Sequence, residues 1–158
     1  MKNIKNNKTG FTLIELLAVI VILAILVMIA IPAVTTYLDT ARKGTFADAA
    51  ATAVSAVRMD YISSNTTTQK KYTKTEVNNL LEKKLNTSPF GNPYTAANVT
   101  ITPSTSGDGA TYNICLSDGT YVINTDESGI DKSKVYKIKE KVIINGTETT
   151  VADCPSGE

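Results

Sequence analysis

Hydrophobic and polar positions divide the chain into three stretches with different periods. From Phe11 to Val34 nearly every side chain is apolar, and only Thr12 and Glu15 resist burial. As a helix, residues 11–34 would span about 36 Å at about 1.5 Å per residue, more than a hydrocarbon core of about 30 Å. Pro32 lies near the far end, where its missing N–H is expected to kink or weaken the helix. Beyond it the pattern turns amphipathic. Val34, Leu38 and Ala41, then Phe46, Ala50, Val54, Val57 and Tyr61, recur at three- and four-residue steps. That is one stripe of a helix continuing over residues 35–62. The alanines between 47 and 56 favour it, and Gly44 is expected to let it bend.

Residues 63–97 read as a connection containing one short helix. "SSNTTTQKK" at 63–71 is polar and turn-forming, hence a loop. Thr73 and Glu76 have capping-box spacing, with Tyr72 and Val77 placed for a hydrophobic staple. The short helix then presents Val77, Leu80, Leu81, Lys84 and Leu85, and "NTSPFGNPYT" at 86–95 ends it. Residues 98–158 have β character. "NVTITP", "TYNICL", "TYVINT" and "VYKIKEKVII" are rich in β-branched and aromatic residues. Asp118-Gly119 and Asn145-Gly146 are hairpin signals. In "VYKIKEKV", Tyr136, Ile138, Glu140 and Val142 alternate with Val135, Lys137, Lys139 and Lys141. This predicts an antiparallel sheet with one wet side, its dry side packed on the Phe46–Tyr61 stripe. The fold class is α+β: a long helix, membrane-spanning in its first half and amphipathic in its second, packed on a C-terminal antiparallel sheet.

Charge adds direction. Sixteen Lys and Arg face fifteen Asp and Glu, so no global field favours nucleic acid. Lys2, Lys5 and Lys8 precede the apolar run, and the first acid after it is Asp39. The positive-inside bias therefore puts the N-terminus in the cytoplasm and the rest of the chain outside. An ordinary signal peptide fits poorly, because its apolar core spans about 7–15 residues and a cleavage site follows. Here the first A-x-A match, Ala47-Asp48-Ala49, lies well past the run. The chain has no histidine, which removes the commonest general base and metal ligand and disfavours an enzyme. No cofactor motif is present.

Glu15 is the anomaly. A carboxylate at membrane depth costs a few kcal/mol near the centre and less near an end, so it ordinarily has a partner or a task. No basic residue lies within a turn on its apolar side, which leaves Lys8 or a charge not yet made. The order Lys8-Thr9-Gly10-Phe11-Thr12-Leu13-Ile14-Glu15-Leu16, followed by the apolar run, closely resembles the leader of type IV pilins and type II secretion pseudopilins. The resemblance covers residues 1 to about 45. It implies a cleaved leader at 1–10, cut between Gly10 and Phe11 by a membrane prepilin peptidase, with Phe11 then N-methylated. It implies that Glu15 serves assembly by pairing with the N-terminal amine of a neighbouring subunit. The partners it implies are like subunits in a homopolymer, the peptidase, the assembly machinery and, before assembly, membrane lipid. The mature form would be extracellular, in a surface filament that supports adhesion, motility or DNA uptake. A secretion or competence pseudopilin is the near alternative, and a monomeric membrane-anchored surface binding protein the distant one.

The remaining candidates lie in the head. Cys115 and Cys154 form an even pair in an exported chain, which favours a disulfide; a C-terminal disulfide loop also resembles that of many pilins. Asp126, Glu127 and Asp131 supply hard oxygens suited to calcium, against the plainer reading of a solvated turn. Asn65, Asn86, Asn98 and Asn145 each open an N-x-S/T sequon. Lys70, Lys71, Lys74, Lys83, Lys84 and the lysines of 132–141 are a candidate filament DNA patch, against solvated lysines interleaved with acids.

Overall fold

The computed structural model describes residues 10–82, 85–104 and 109–155. The chain divides into two compact units, Met1–Asp39 and Thr40–Glu158. One helix, α1, runs Leu13–Ser63 and belongs to both. It passes through Pro32 without a break in helical assignment. Two hydroxyls, from Thr35 and Thr36, donate to the Pro32 carbonyl at 3.0 Å each. Gly44 is also helical.

The sequence-predicted stripe is the buried one in the second unit: Phe46, Ala50, Val54, Val57 and Tyr61 all lie in the main core. Val34, Leu38 and Ala41, assigned to the same amphipathic pattern, are exposed. The head therefore takes hold of the helix only from Phe46 onward.

A five-stranded sheet lies against that stripe. Its strands are β1 (Lys70–Tyr72), β2 (Ala96–Pro103), β3 (Ala110–Ser117), β4 (Tyr121–Asp126) and β5 (Tyr136–Lys137), in the order β1-β2-β3-β4-β5, each antiparallel to its neighbour. Strand β1 falls partly in the stretch assigned to a polar loop. Two lysines and one tyrosine carry no β alternation; they pair because Ile101, Thr100 and Val99 offer an open ladder opposite them. Helix α2 (Lys74–Leu80) begins at the anticipated capping box, where the Thr73 N–H donates to Glu76 Oε2 at 2.8 Å. Tyr72 and Val77 are both buried. Val77 and Leu85 enter the core and Leu81 packs on its margin, while Leu80 stays exposed and Lys84 lies outside the described residues.

The 86–95 connection is held by rings and by one buried acid. Phe90 stacks on Tyr121 at 3.7 Å, and Phe46 meets Tyr94 at 5.4 Å and Phe90 at 6.1 Å. Asp118 is buried at the β3–β4 turn. It accepts from the Ser88 hydroxyl at 2.6 Å, and from the N–H groups of Thr120 and Tyr121 at 2.9 and 2.7 Å.

The expectation for residues 135–144 is corrected. They do not form one strand whose dry side meets α1. After β5 the chain turns at Lys137–Glu140, where Lys139 has φ 67° and the Glu140 N–H donates to the Lys137 carbonyl. It then forms a separate hairpin of β6 (Lys141–Ile144) and β7 (Thr147–Thr150). Asn145 and Gly146 both take positive φ at its tip, 51° and 81°, as that turn demands. Tyr136, Ile138 and Val142 pack on a second, smaller cluster of Ala96, Cys115, Val122, Val151 and Cys154. Along β2, β3 and β4 the members of this cluster alternate with those of the main core, so it lies on the opposite face of the sheet. That face is covered in part by the C-terminal segment, where a wet side was anticipated.

Candidate functional site

The N-terminal segment is built around a helix start. Gly10 and Phe11 precede α1, and Phe11 is 92% exposed. Thr12 stands before the first helical residue, and Glu15 lies in the first turn. Glu15 Oε2 accepts from the Thr12 N–H and from the Thr12 hydroxyl, both at 2.8 Å. The Glu15 N–H donates back to the Thr12 hydroxyl at 3.3 Å. This is a capping box: reciprocal bonds between Thr12 and Glu15 satisfy donors that a helix start leaves open.

Thr12 corrects the expectation that Glu15 lacks a local partner. The Thr-x-x-Glu spacing at residues 12–15 is the same sequence signal as that at 73–76. It also explains how the carboxylate is tolerated at the head of an apolar helix. The end of a helix that bears free N–H groups carries positive potential, and an acid in its first turn is favoured there. Among the described residues both bonds to Glu15 fall on Oε2, so the carboxylate keeps acceptor capacity on Oε1. The helix that follows is long and apolar enough to cross a membrane, with none of its apolar window buried in the chain.

Residues 5–31 match the family model described as the prokaryotic N-terminal methylation motif. The motif is the hallmark of type IV pilin and pseudopilin precursors, so the chain carries a prepilin-type N-terminus. It points to a structural subunit rather than an enzyme, and it fits a membrane-anchored precursor. Comparison with curated proteins and with solved structures found no match. The matched stretch ends well before the head, which must be understood from its own residues.

In the head of this prepilin-type chain, Cys115 and Cys154 form a disulfide with Cα atoms 5.7 Å apart, joining the central strand β3 to the C-terminal segment. The calcium candidates are occupied locally. Asp126 Oδ1 accepts from the Ser128 hydroxyl and the Gly129 N–H, and Asp131 Oδ1 accepts from the Ser133 N–H. Hydrogen bonds from Ser128 hold the Asp126 carboxyl below its ordinary range, and those from Ser133 do the same for Asp131. Glu127 pairs with Arg58, whose guanidinium also lies 4.7 Å from the centre of the Tyr112 ring. Among the described residues no group of three or more Cys, Asp or Glu side chains is arranged to hold a metal.

The lysines are dispersed. Lys70 pairs with Asp60 at 3.6 Å, Lys141 with Glu148 at 3.4 Å, and Lys74 donates to the Tyr94 carbonyl. Lys83 and Lys84 lie outside the described residues. Of the four sequons, Asn98 is buried and its amide donates to the Pro155 carbonyl at 2.8 Å, whereas Asn65, Asn86 and Asn145 are exposed.

Proposed function

We propose that this chain is the polymerising subunit of a type IV pilus. It is made as a membrane precursor, cut between Gly10 and Phe11, N-methylated on Phe11, and assembled through α1. Supporting this reading above all is Glu15, an acid capped by Thr12 at the head of an apolar helical stretch of which nothing is buried in the chain. The Thr12 bonds let the subunit wait in lipid without a naked charge. Cleavage creates an ammonium group on Phe11, and the amine of a neighbouring copy supplies the counter-charge that Oε1 can accept. Such a pair fixes one axial register and penalises others more than it adds net affinity.

The fold makes no demand for glycine at position 10. Among the described residues, nothing lies within 4 Å of where a Cβ on Gly10 would stand. In this reading the glycine serves the peptidase, whose approach to the backbone a side chain would obstruct. Pro32 lies within the segment that would become filament core.

The decisive experiment is N-terminal mass analysis of the surface form together with electron microscopy. The expected product starts at a methylated Phe11 and comes from long filaments. Gly10→Val should accumulate the intact precursor. Glu15→Gln keeps a capping side chain but removes the charge, and is expected to insert normally and build no filaments. Filaments from Glu15→Gln, or a surface form that starts at Met1, would overturn the reading. Correct processing without filaments, combined with lost secretion or transformation, would favour a pseudopilin.

A further inference from the structure

Among the described residues, two turns of the head place a short acid or amide residue directly before a glycine. They are Asp118-Gly119, between β3 and β4, and Asn145-Gly146, between β6 and β7. Such a pair has latent chemistry. The glycine amide nitrogen lies a few bonds from the carbonyl carbon of the preceding side chain, and glycine carries no Cβ to hinder its approach. Asn145 is the one asparagine of the sequence that glycine follows.

The fold treats the two turns in opposite ways. Asp118 is buried, and its carboxylate accepts from the Ser88 hydroxyl and from the Thr120 and Tyr121 N–H groups. The Gly119 N–H donates to Ser117 Oγ at 3.1 Å, so the nitrogen that would attack is held as well. At the hairpin tip neither group is tied. Asn145 is exposed, and among the described residues neither its carboxamide nor the Gly146 N–H forms a hydrogen bond. Reaction requires the Asn145–Gly146 peptide to swing toward the side chain, so the turn must open. The hairpin makes opening easy. It pairs with no other strand, every residue of β7 is exposed, and in β6 only Val142 is partly buried. Its Lys141–Glu148 ion pair, at 3.4 Å, is solvent-exposed and contributes little. A lone two-stranded hairpin is marginal in water, and elements of this kind open locally at low free energy. The β3–β4 turn instead joins two inner strands of the five-stranded sheet, which it cannot leave without breaking that sheet.

We propose that Asn145 is a self-modifying site, at which the hairpin tip deamidates with water as the only co-reactant. The Gly146 amide nitrogen attacks Cγ of Asn145 and forms a new C–N bond, closing a cyclic imide. The Cγ–Nδ2 bond breaks, and the departing nitrogen takes the Gly146 amide proton and leaves as ammonia. Water then opens the ring. Attack at Cγ restores the ordinary peptide link and leaves aspartate. Attack at the main-chain carbonyl carbon leaves isoaspartate, with the backbone now running through Cβ and Cγ. Aspartate keeps the turn and adds a negative charge. Isoaspartate lengthens the backbone, so the pair of positive-φ residues that closes the turn is lost, and with it the Ile144–Thr147 register. The change stays at the tip, because Val151 and the Cys115–Cys154 bond hold the chain beyond it. This chemistry does not depend on polymerisation.

The test incubates the purified full chain in detergent at mildly alkaline pH, both folded and in denaturant. Peptide mapping by mass spectrometry follows each site, and a carboxyl methyltransferase specific for isoaspartate reports that product. In the folded chain, Asn145 is expected to convert several-fold faster than the exposed Asn65 and Asn86, each of which precedes a threonine, while Asp118 stays unchanged. In denaturant Asp118 should begin to isomerise, since the bonds that hold it are gone. Conversion of Asn145 no faster than that of Asn65 and Asn86 overturns the site, and isomerisation of Asp118 at equal rates in both states overturns the part assigned to the fold. Amide exchange of the aged folded chain should rise across 141–150 and not in β2–β4; unchanged exchange at 141–150 once isoaspartate has formed overturns the loss of register.

Discussion

Removing the Cys115–Cys154 bond should destabilise the head strongly. The bond spans 39 positions of sequence, so its loop counts 40 residues with both ends. Loop entropy for that length predicts a loss of about 4 kcal/mol. The head unit, Thr40–Glu158, has 119 residues. An unfolding entropy of about 250 cal/mol/K follows for that size, and the loss translates into a fall in Tm of about 16 °C. Local effects should accompany it. Among the described residues the second core has five buried members, and two of them are these cysteines. Without the bond, the segment after Lys139 is held chiefly by the burial of Val151, its two backbone bonds with Lys139 and Glu140, and the Asn98–Pro155 bond. The assay is thermal unfolding of a chain beginning at Thr40, oxidised and as Cys115→Ala/Cys154→Ala, with limited proteolysis in parallel. The expected outcome is the large Tm drop, with early cleavage confined to residues 139–155. A drop under about 5 °C with unchanged cleavage would refute the reasoning, because the segment would then be held by its packing alone.

Phe46→Ala should destabilise the head by about 3–5 kcal/mol, since it empties a fully buried site between α1 and the rings of Phe90 and Tyr94; denaturant titration checks it. Backbone and hydroxyl bonds from Thr73 hold the Glu76 carboxyl below its ordinary value of 4.5. Its contribution is therefore present above that value and lost as pH falls through the lower folded one, so amide exchange in α2 should rise with acid, and Glu76→Gln should flatten that response. Burial, with a smaller contribution from the charge on Asp118, pushes the Tyr94 phenol up to about 12. Its neutral form thus favours the folded state, and this stability, intact below the ordinary phenol value of 10, is lost as pH rises toward 12; ultraviolet titration of Tyr94→Phe should lack the latest-ionising phenol.

Local periodicity and spacing were enough to determine much of this protein. The apolar run, the Phe46–Tyr61 stripe, the Thr73–Glu76 cap and the two turn dipeptides act through residues within a few positions of one another, so each carries its signature in order along the chain. Thr12–Glu15 carries its signature equally, in the Thr-x-x-Glu spacing. Other features were settled only when distant segments met. Lys70–Tyr72 becomes a strand because β2 lies open beside it. Residues 135–144 alternate like one strand, yet they break at Lys139, and Tyr136, Ile138 and Val142 cover Ala96, Cys115 and Val122 on the far face. Whether the wet side stays wet depends on long-range burial and a crosslink, and neither has a period that a local pattern can display.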